Sequence, residues 1–390
     1  MSTRREFLQH AALLGATATL PINFAMNFAI GQENVTKPVD PLFTVPTGKF
    51  LNPKRTPRKI TIPNVGNFRV LKGDFHIHTL FSDGYVMPKD RVHEAVENGL
   101  DVIAITDHIE YRPFFGGKST QLKERNDDHN IAYDIAKPEA EKNKLILIRG
   151  TEITKSTMPP GHFNAVFLKD VNPVAEAVND WKKMLEVAAN QGAFVFWNHP
   201  GWVAPKSGGL EKGVPMSFTA EHEDIRRKGF LHGIEVFNGT SYYPIVSDWC
   251  NEMDMGLIAT SDIHVSEWNM YGSQNPLRPI TLILAEDRTE EAIREAFFAR
   301  RTVGWAAGMI LGRPQWVEQL FNACVGITKN SGSLQLKNKS DIPCRIQIGN
   351  NIHELKPQSE LVLTDHSVSK KLTVTNWLVG TAKPLEISIG

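Results

Sequence analysis

The stretch "KGDFHIHTLFSDG", residues 72–84, decides how the rest of the chain is read. His76 and His78 alternate around Ile77 at the end of an apolar run. In a β-strand, residues i and i+2 leave the same face, so two imidazoles at this spacing converge on one point beside the strand. On its own the pair suits a hydrogen-bonded couple in a polar pocket as well as a metal site. The surrounding sequence decides between them.

Outward from this stretch, short apolar runs alternate with helical patterns. "FRVLKGDFHIHT" precedes the helix pattern "DRVHEAVENGL" and then "DVIAITDH"; "IAYDIAKPEAEKN" leads to "KLILIRGTEIT", with "HFNAVFL" following after a loop. "PVAEAVNDWKKMLEVAANQG" reads as one long amphipathic helix with a left-handed cap at Gly192, before "AFVFWNHPG". "TAEHEDIRRKGF" precedes "GIEVFNG", "PIVSDWCNEMDMG" precedes "LIATSDIHV", and "PITLILAE" with "TEEAIREAFFARRT" ends the series. Strands alternating with helices argue for a parallel sheet, and about seven or eight such units argue for a closed (β/α) barrel.

The polar residues gather at one end of that barrel. His76, His78, Asp107, His108, Glu152, His199, Asn238, Asp262 and His264 all stand at C-terminal ends of apolar runs, where the strands of a barrel share one mouth. His162 stands at the start of its run. It reaches the mouth only if its strand is short, reversed or preceded by a loop folding over the site. Singly, each of these residues has a dull reading as a cap, a turn or a surface group. Together, six histidines and several acids at one rim cost stability unless something binds them. Imidazoles mixed with carboxylates suit Zn, Mn or Fe, and the carboxylates can bridge two ions. The remaining histidines, including His129 and His222, read as solvated.

The whole chain of 390 residues carries 43 Lys and Arg against 43 Asp and Glu, so no net charge calls for nucleic acid. Cys250, Cys324 and Cys344 lack any CxxC spacing, which excludes a thiolate zinc site; Cys324 and Cys344 could pair in an oxidising compartment. At the N-terminus Arg4 and Arg5 precede Phe7, Leu8 and an apolar run too short for a lasting membrane span, in the manner of a twin-arginine export signal over residues 1–31. Residues 32–67, rich in Pro, Thr and Lys, read as a linker, and the expected destination is periplasmic or secreted. The tail from 313 to 390 alternates in short runs such as "SGSLQLKNKS", "CRIQIGNN" and "KKLTVTNW", which reads as a small antiparallel β-sandwich-like domain.

"HIHTLFSDG", "ITDH", "GTE", a following His, "NHPG" and "SDIH", in that order over about residues 68–308, resemble the polymerase and histidinol phosphatase (PHP) family of metal-dependent phosphoesterases. The resemblance implies a distorted, TIM-like (β/α)7-type barrel over 68–312 with two or three divalent ions at its mouth. It gives His76, His78 and Asp262 one metal, lets Glu152 bridge to a second held by His162 and His199, and gives Asp83, His108 and His264 a third. Asp262, His264 and Glu152 take the catalytic parts, with a metal-activated hydroxide attacking a phosphate mono- or diester. Many members carry a histidine where this chain has Asp83. Arg112, Lys206 and Arg149 are candidate phosphate contacts, and Trp202, Asn238 and Tyr242 read as mouth residues favouring a small polar substrate. Two rivals stand beside this reading. Metal-dependent amidohydrolases also open on HxH, though "SDIH" and "TDH" favour the phosphoesterases; outside enzymes, a secreted protein could hold metals without turnover.

Overall fold

The computed structural model describes residues 57–112, 128–154, 160–202, 216–271, 277–330, 333–364 and 371–389. The expected export signal, most of the expected linker and Lys206 lie outside the described residues. The first part of the chain runs β1 (Arg69–Asp74), α1 (Pro88–Glu97), β2 (Val102–Ile105), α2 (Ile131–Lys142), β3 (Ile146–Ile153), β4 (Phe163–Val166), α3 (Asn172–Glu176), α4 (Trp181–Asn190) and β5 (Phe194–Trp197). It continues α5 (Ala220–Arg227), β6 (Gly233–Asn238), β7 (Ser241–Tyr242), α6 (Ile245–Glu252), β8 (Gly256–Thr260), α7 (Glu267–Tyr271), β9 (Ile280–Ala285), α8 (Glu290–Phe298), β10 (Thr302–Ala306) and β11 (Met309–Gly312). The tail holds α9 (Pro314–Cys324), β12 (Val325–Asn330), β13 (Ser333–Asn338), β14 (Cys344–Ile348), β15 (Asn351–Leu355), β16 (Glu360–Leu363), β17 (Lys371–Gly380) and β18 (Lys383–Ser388).

Local chemistry explains the element boundaries. Pro88 opens α1, where its missing N–H costs nothing. The Thr289 hydroxyl caps α8 by accepting from the Ala292 N–H. The expected single helix over "PVAEAVNDWKKMLEVAANQG" is two helices, because the Asp180 carboxylate accepts from Lys182 and Lys183 and starts α4 afresh. Gly192 closes that segment at φ +81°, as the left-handed cap requires.

Strands β2, β4, β5, β6, β8 and β9 are buried at every position, which is why they read as unbroken apolar runs. Their order is β9-β1-β2-β3-β4-β5-β6, with β8 also on β6. The sheet is mixed rather than parallel throughout. β1-β2-β3 and β5-β6-β8 pair in parallel, but β4 runs antiparallel to both β3 and β5, and β9 antiparallel to β1. Among the described residues no backbone ladder joins β8 to β9. The Thr281 hydroxyl spans them instead, accepting from the Ala259 N–H at 3.0 Å and donating to the Ala259 carbonyl at 2.8 Å. Side chains from β1, β2, β3, β4, β5, β8 and β9 meet in one interior cluster, where Phe297 of α8 lies 4.6 Å from the Phe75 ring and 5.1 Å from Phe194.

In the tail, β17 pairs in parallel with β11, so β14, β15, β17 and β18 continue the main sheet. β12, β13 and β16 form a separate three-stranded sheet. Leu334 and Leu336 from that sheet share a core with Ile346, Leu372 and Trp377 of the other. Cys324 and Cys344 are both buried there as free thiols. Among the described residues no helix is long and apolar enough to cross a membrane.

Candidate metal centre

Backbone register assembles the site. Beyond β1 the chain passes through His76, Ile77 and His78, and Ile77 pairs in parallel with Ile263 past the end of β8. The HxH of one segment therefore stands beside the DxH of the other, with Asp262 and His264 flanking Ile263. A second parallel bridge joins His108 to Glu152. Reversed β4 starts where its neighbours end, and this reversal brings His162 to the same place. Gly84 closes the "FSDG" turn against His78: a Cβ there would lie 2.6 Å from the His78 carbonyl carbon.

All nine residues expected to hold metal come together. His76 Nε2 lies 3.1 Å from His78 Nε2, 3.1 Å from Glu152 Oε2 and 3.2 Å from Asp262 Oδ1. His78 Nε2 is 3.2 and 3.1 Å from the same two oxygens. Glu152 faces two ways. Its Oε2 also lies 3.2 Å from His108 Nδ1, while its Oε1 lies 2.9 Å from His162 Nδ1 and 3.6 Å from His199 Nε2. Asp83 Oδ1 is 3.2 Å from His264 Nε2, and its Oδ2 is 3.6 Å from His108 Nε2. Three sets gather their donor atoms within 4.8 Å: His76, His78 and Asp262; His76, Glu152 and His199; and His78, Asp83, His108 and His264. These differ from the implied sets in three respects, since His76 joins the second, His78 joins the third and His162 falls outside all three.

Burial opposes charge on His76, yet Asp262, Glu152 and Glu235 hold it well above the usual histidine range. Against the same opposition, Asp262 and Glu152 hold His78 at about 10. Glu152 and Asp262 are buried too, but the surrounding imidazoles, His108 and His76 on the first and His76 and His78 on the second, keep both far below the usual carboxylate range. Protons on imidazoles thus supply the positive charge that buried carboxylates demand, and a divalent ion can replace those protons. Two buried atoms here lack any hydrogen-bond partner: Asp262 Oδ1, near two imidazoles but out of line with them, and His162 Nε2. Buried polar atoms are normally paired, so an orphaned oxygen and an orphaned ring nitrogen fit bound cations. The mixed nitrogen and oxygen set suits Zn, Mn or Fe. Both His199 at φ +26° and Asp262 at φ +51° hold left-handed backbone, a strain that surrounding structure must maintain.

Except for His76 and His78, which lie beneath it, these residues line a cavity of about 430 Å³; Glu110, Tyr111, Thr154 and Trp202 complete its described wall. Residues 74–301 match the model of the PHP domain family. The chain belongs to that family. A crystal structure of a two-domain protein from Bacteroides vulgatus containing a predicted PHP-like metal-dependent phosphoesterase is 34% identical, over 86% of this chain and 98% of its own, with a TM-score of 0.76. A protein from Bifidobacterium adolescentis at 18% identity covers 58% of this chain and 96% of its own with a TM-score of 0.38. An amidohydrolase from Chromobacterium violaceum at 13% covers 50% and 87% with 0.36. No curated protein matches the chain.

Around this PHP site stand residues that sequence reading missed. Glu235 is buried within β6; its Oε1 lies 2.8 Å from His76 Nδ1 and accepts from Thr260 Oγ1 at 2.6 Å, while its Oε2 accepts from the His199 N–H at 2.6 Å. An acid inside "GIEVFNG" was the available signal. Arg91 in α1 is buried and donates to the carbonyls of His78, Ile263, His264 and Val265, tying both histidine segments together. Nothing in its helical pattern announces that role. Asp107, already placed at a strand end by the sequence, accepts from the Thr79 N–H at 2.7 Å and the Ser82 hydroxyl at 2.6 Å, holding the turn that carries Asp83.

Of the expected substrate contacts and mouth residues, Trp202 lines the cavity and Lys206 lies outside the described residues, while Arg112, Arg149, Asn238 and Tyr242 are not among its described lining. Arg112 donates Nε to the Phe81 carbonyl and lines a separate small cavity. Asn238 is buried and donates to Glu235. Arg149 stacks over Tyr133, and Tyr242 stacks on Phe237. His222, expected to be solvated, is fully buried against Trp197 at a ring separation of 3.9 Å.

Proposed function

We propose that this PHP domain hydrolyses phosphate mono- or diesters at a centre of two or three divalent ions. The observation that carries it is Glu152, whose two oxygens face different groups of imidazoles beside the paired HxH and DxH segments. His76, His78 and Asp262 would hold one ion, Glu152 with His199 and His162 a second, and Asp83, His108 and His264, with His78 alongside, a third. Divalent ions bound there would supply an acidified water near neutral pH and positive charge for the oxygens of a phosphoryl group. The chain's own part is placement. Glu235 accepts a hydrogen bond from the His76 Nδ1–H, which leaves the Nε2 lone pair aimed into the cluster. Arg91 fixes the backbone on which His78 and His264 ride.

The strand path reads as a distorted seven-stranded barrel, supported by the Thr281 bridge, the Ile77 and Ile263 pairing and the shared interior cluster. The division at about residue 312 into barrel and small β domain is supported by the alternating burial of β13 and β14 and by the two-domain relative. Arg4 and Arg5 support twin-arginine export to the periplasm. Replacing both with Lys is expected to retain the precursor in the cytoplasm, and unchanged delivery would overturn that reading.

The test of function is a panel of phosphate mono- and diesters, with amides alongside, assayed on metal-reconstituted wild type and Asp262→Ala. Turnover of phosphoesters should fall about a thousandfold or more in the variant, with fewer ions per chain by elemental analysis. Equal turnover in the two proteins would refute a catalytic centre. Amide hydrolysis alone would move the chain to the amidohydrolases, and full metal content without turnover would make it a binding protein.

A further inference from the structure

The wall of the metal cavity has an unusual division of chemistry. One side is imidazole and carboxylate, and the groups there face one another. Among the described residues that line it there is no Lys or Arg. Beyond the aromatic residues, Glu110 accepts from the Thr154 N–H at 2.8 Å, and the Thr154 hydroxyl pairs with His108 Nδ1. Among the described wall residues, few side-chain groups are left to recognise sugar hydroxyls or a second anionic group.

What is left is aromatic. Trp202 is 41% exposed, with its ring 5.1 Å from that of His162 and 5.5 Å from that of His199. Tyr111 is 52% exposed, 6.0 Å from the His108 ring. The His108 and His162 rings are themselves 6.0 Å apart, so the two aromatics flank the cluster. The Trp202 position is built rather than incidental: its backbone N–H donates to the His199 carbonyl at 2.8 Å. At Gly201 a Cβ would stand 2.7 Å from the Tyr243 ring, which holds the turn tight. Pockets of this kind fix a ligand's reactive end with a few polar groups and its remainder with apolar and aromatic surface.

We propose that the organic group of the phosphoester carries a planar aromatic ring, seated against Trp202 and Tyr111 while the phosphoryl group lies over the metal cluster. The proposal rests on the phosphoesterase reading and names its substrate class. Ring-on-ring contact favours a flat π-face beyond area alone, so a saturated ring of similar size and greater hydrophobicity is the proper control.

The test compares benzyl phosphate with cyclohexylmethyl phosphate as substrates, and the two corresponding phosphonates as non-hydrolysed ligands by calorimetry, on metal-reconstituted protein. Wild type should favour the benzyl compound about three- to tenfold in KM and in phosphonate Kd. Trp202→Ala should bring the ratio within about twofold, Trp202→Phe should retain it, and Tyr111→Ala should reduce it partly, with metal content unchanged in all three. Hydrolysis of both esters with equal KM and equal phosphonate Kd would overturn the ring proposal alone, as would a preference that survives both alanine variants. Hydrolysis of neither ester, with no phosphonate binding, would overturn the phosphoesterase reading and this proposal with it.

Discussion

The metal centre and the tail both bury polar side chains, and two amides of the tail are treated in the opposite way from the orphaned atoms of the centre. In the tail, Asn376 donates to the carbonyls of Gly308 and Pro343 and accepts from the Arg345 N–H. Asn338 likewise donates to Ile342 and Lys356 and accepts from Ser340. Each of these amides is satisfied and locks loops to strands. At the mouth, imidazoles crowd two ionised carboxylates, and Asp262 Oδ1 and His162 Nε2 are left without a bond. The two tail amides serve the fold through complete pairing. Orphaned atoms also occur elsewhere, at Trp316 Nε1 and Thr302 Oγ1 for example, but those at the mouth stand among gathered imidazoles and carboxylates, where a cation can use them.

Removing metal should separate the regions most. Ions held at about a thousandfold their dissociation constant contribute about 4 kcal/mol, so chelation should lower the stability of wild type by that order, as read by denaturant titration. No change on chelation, in protein that elemental analysis shows was loaded, would place the ions outside the folded mouth.

Asn376→Ala comes next. It orphans two carbonyls and one N–H in the tail, a loss on the order of 3 kcal/mol. Because the site is remote from the ions, the loss should be equal in loaded and stripped protein. A loss confined to the loaded form would mean the tail is coupled to the mouth, and the contrast drawn between them would fail.

The smallest effect asks whether residue type or pairing matters. His222 is buried like His162, but both of its nitrogens are engaged, Nε2 donating to the Pro160 carbonyl at 2.7 Å and Nδ1 accepting from the Thr219 N–H at 3.1 Å. Burial pushes it down to about 4. With its folded pKa below the unfolded value near 6.5, its contribution is full above that value and is lost as pH falls toward 4. Between pH 7 and 5 wild type should lose about 2 kcal/mol more than His222→Gln, measured by denaturant midpoints at both pH values. Equal losses would show that His222 is not held neutral.

Much of the mouth was legible because strand geometry has a fixed period. HxH and DxH declare a shared face without any knowledge of what lies opposite, and Glu152 and His199 follow apolar runs in the same way. His162 was legible only as a conditional, since a strand's direction is not written in its composition; β4 turned out reversed. The split of α3 from α4 was foreshadowed by Asp180, whose side chain competes for the backbone N–H groups that a continuous helix would use. Glu235 offered a hint as an acid among apolar neighbours. Arg91 offered none, because an Arg three residues before a Glu on a helix reads as an ordinary surface pair, and the carbonyls it holds at Ile263 to Val265 are far away in sequence.

Sequence alone therefore settled which residue types gather at strand ends, and with them the mixed nitrogen and oxygen donor set that calls for divalent ions. Those are consequences of local periodicity, which each segment carries within itself. The pairing of Ile77 with Ile263, the two-sided reach of Glu152, the joining of the tail to β11 through β17 and the placing of Tyr111 beside the cluster were decided only by the tertiary structure. Each depends on which distant segments meet and in what register, and that is fixed by the packing of whole strands and helices against one another, not by any one stretch of chain.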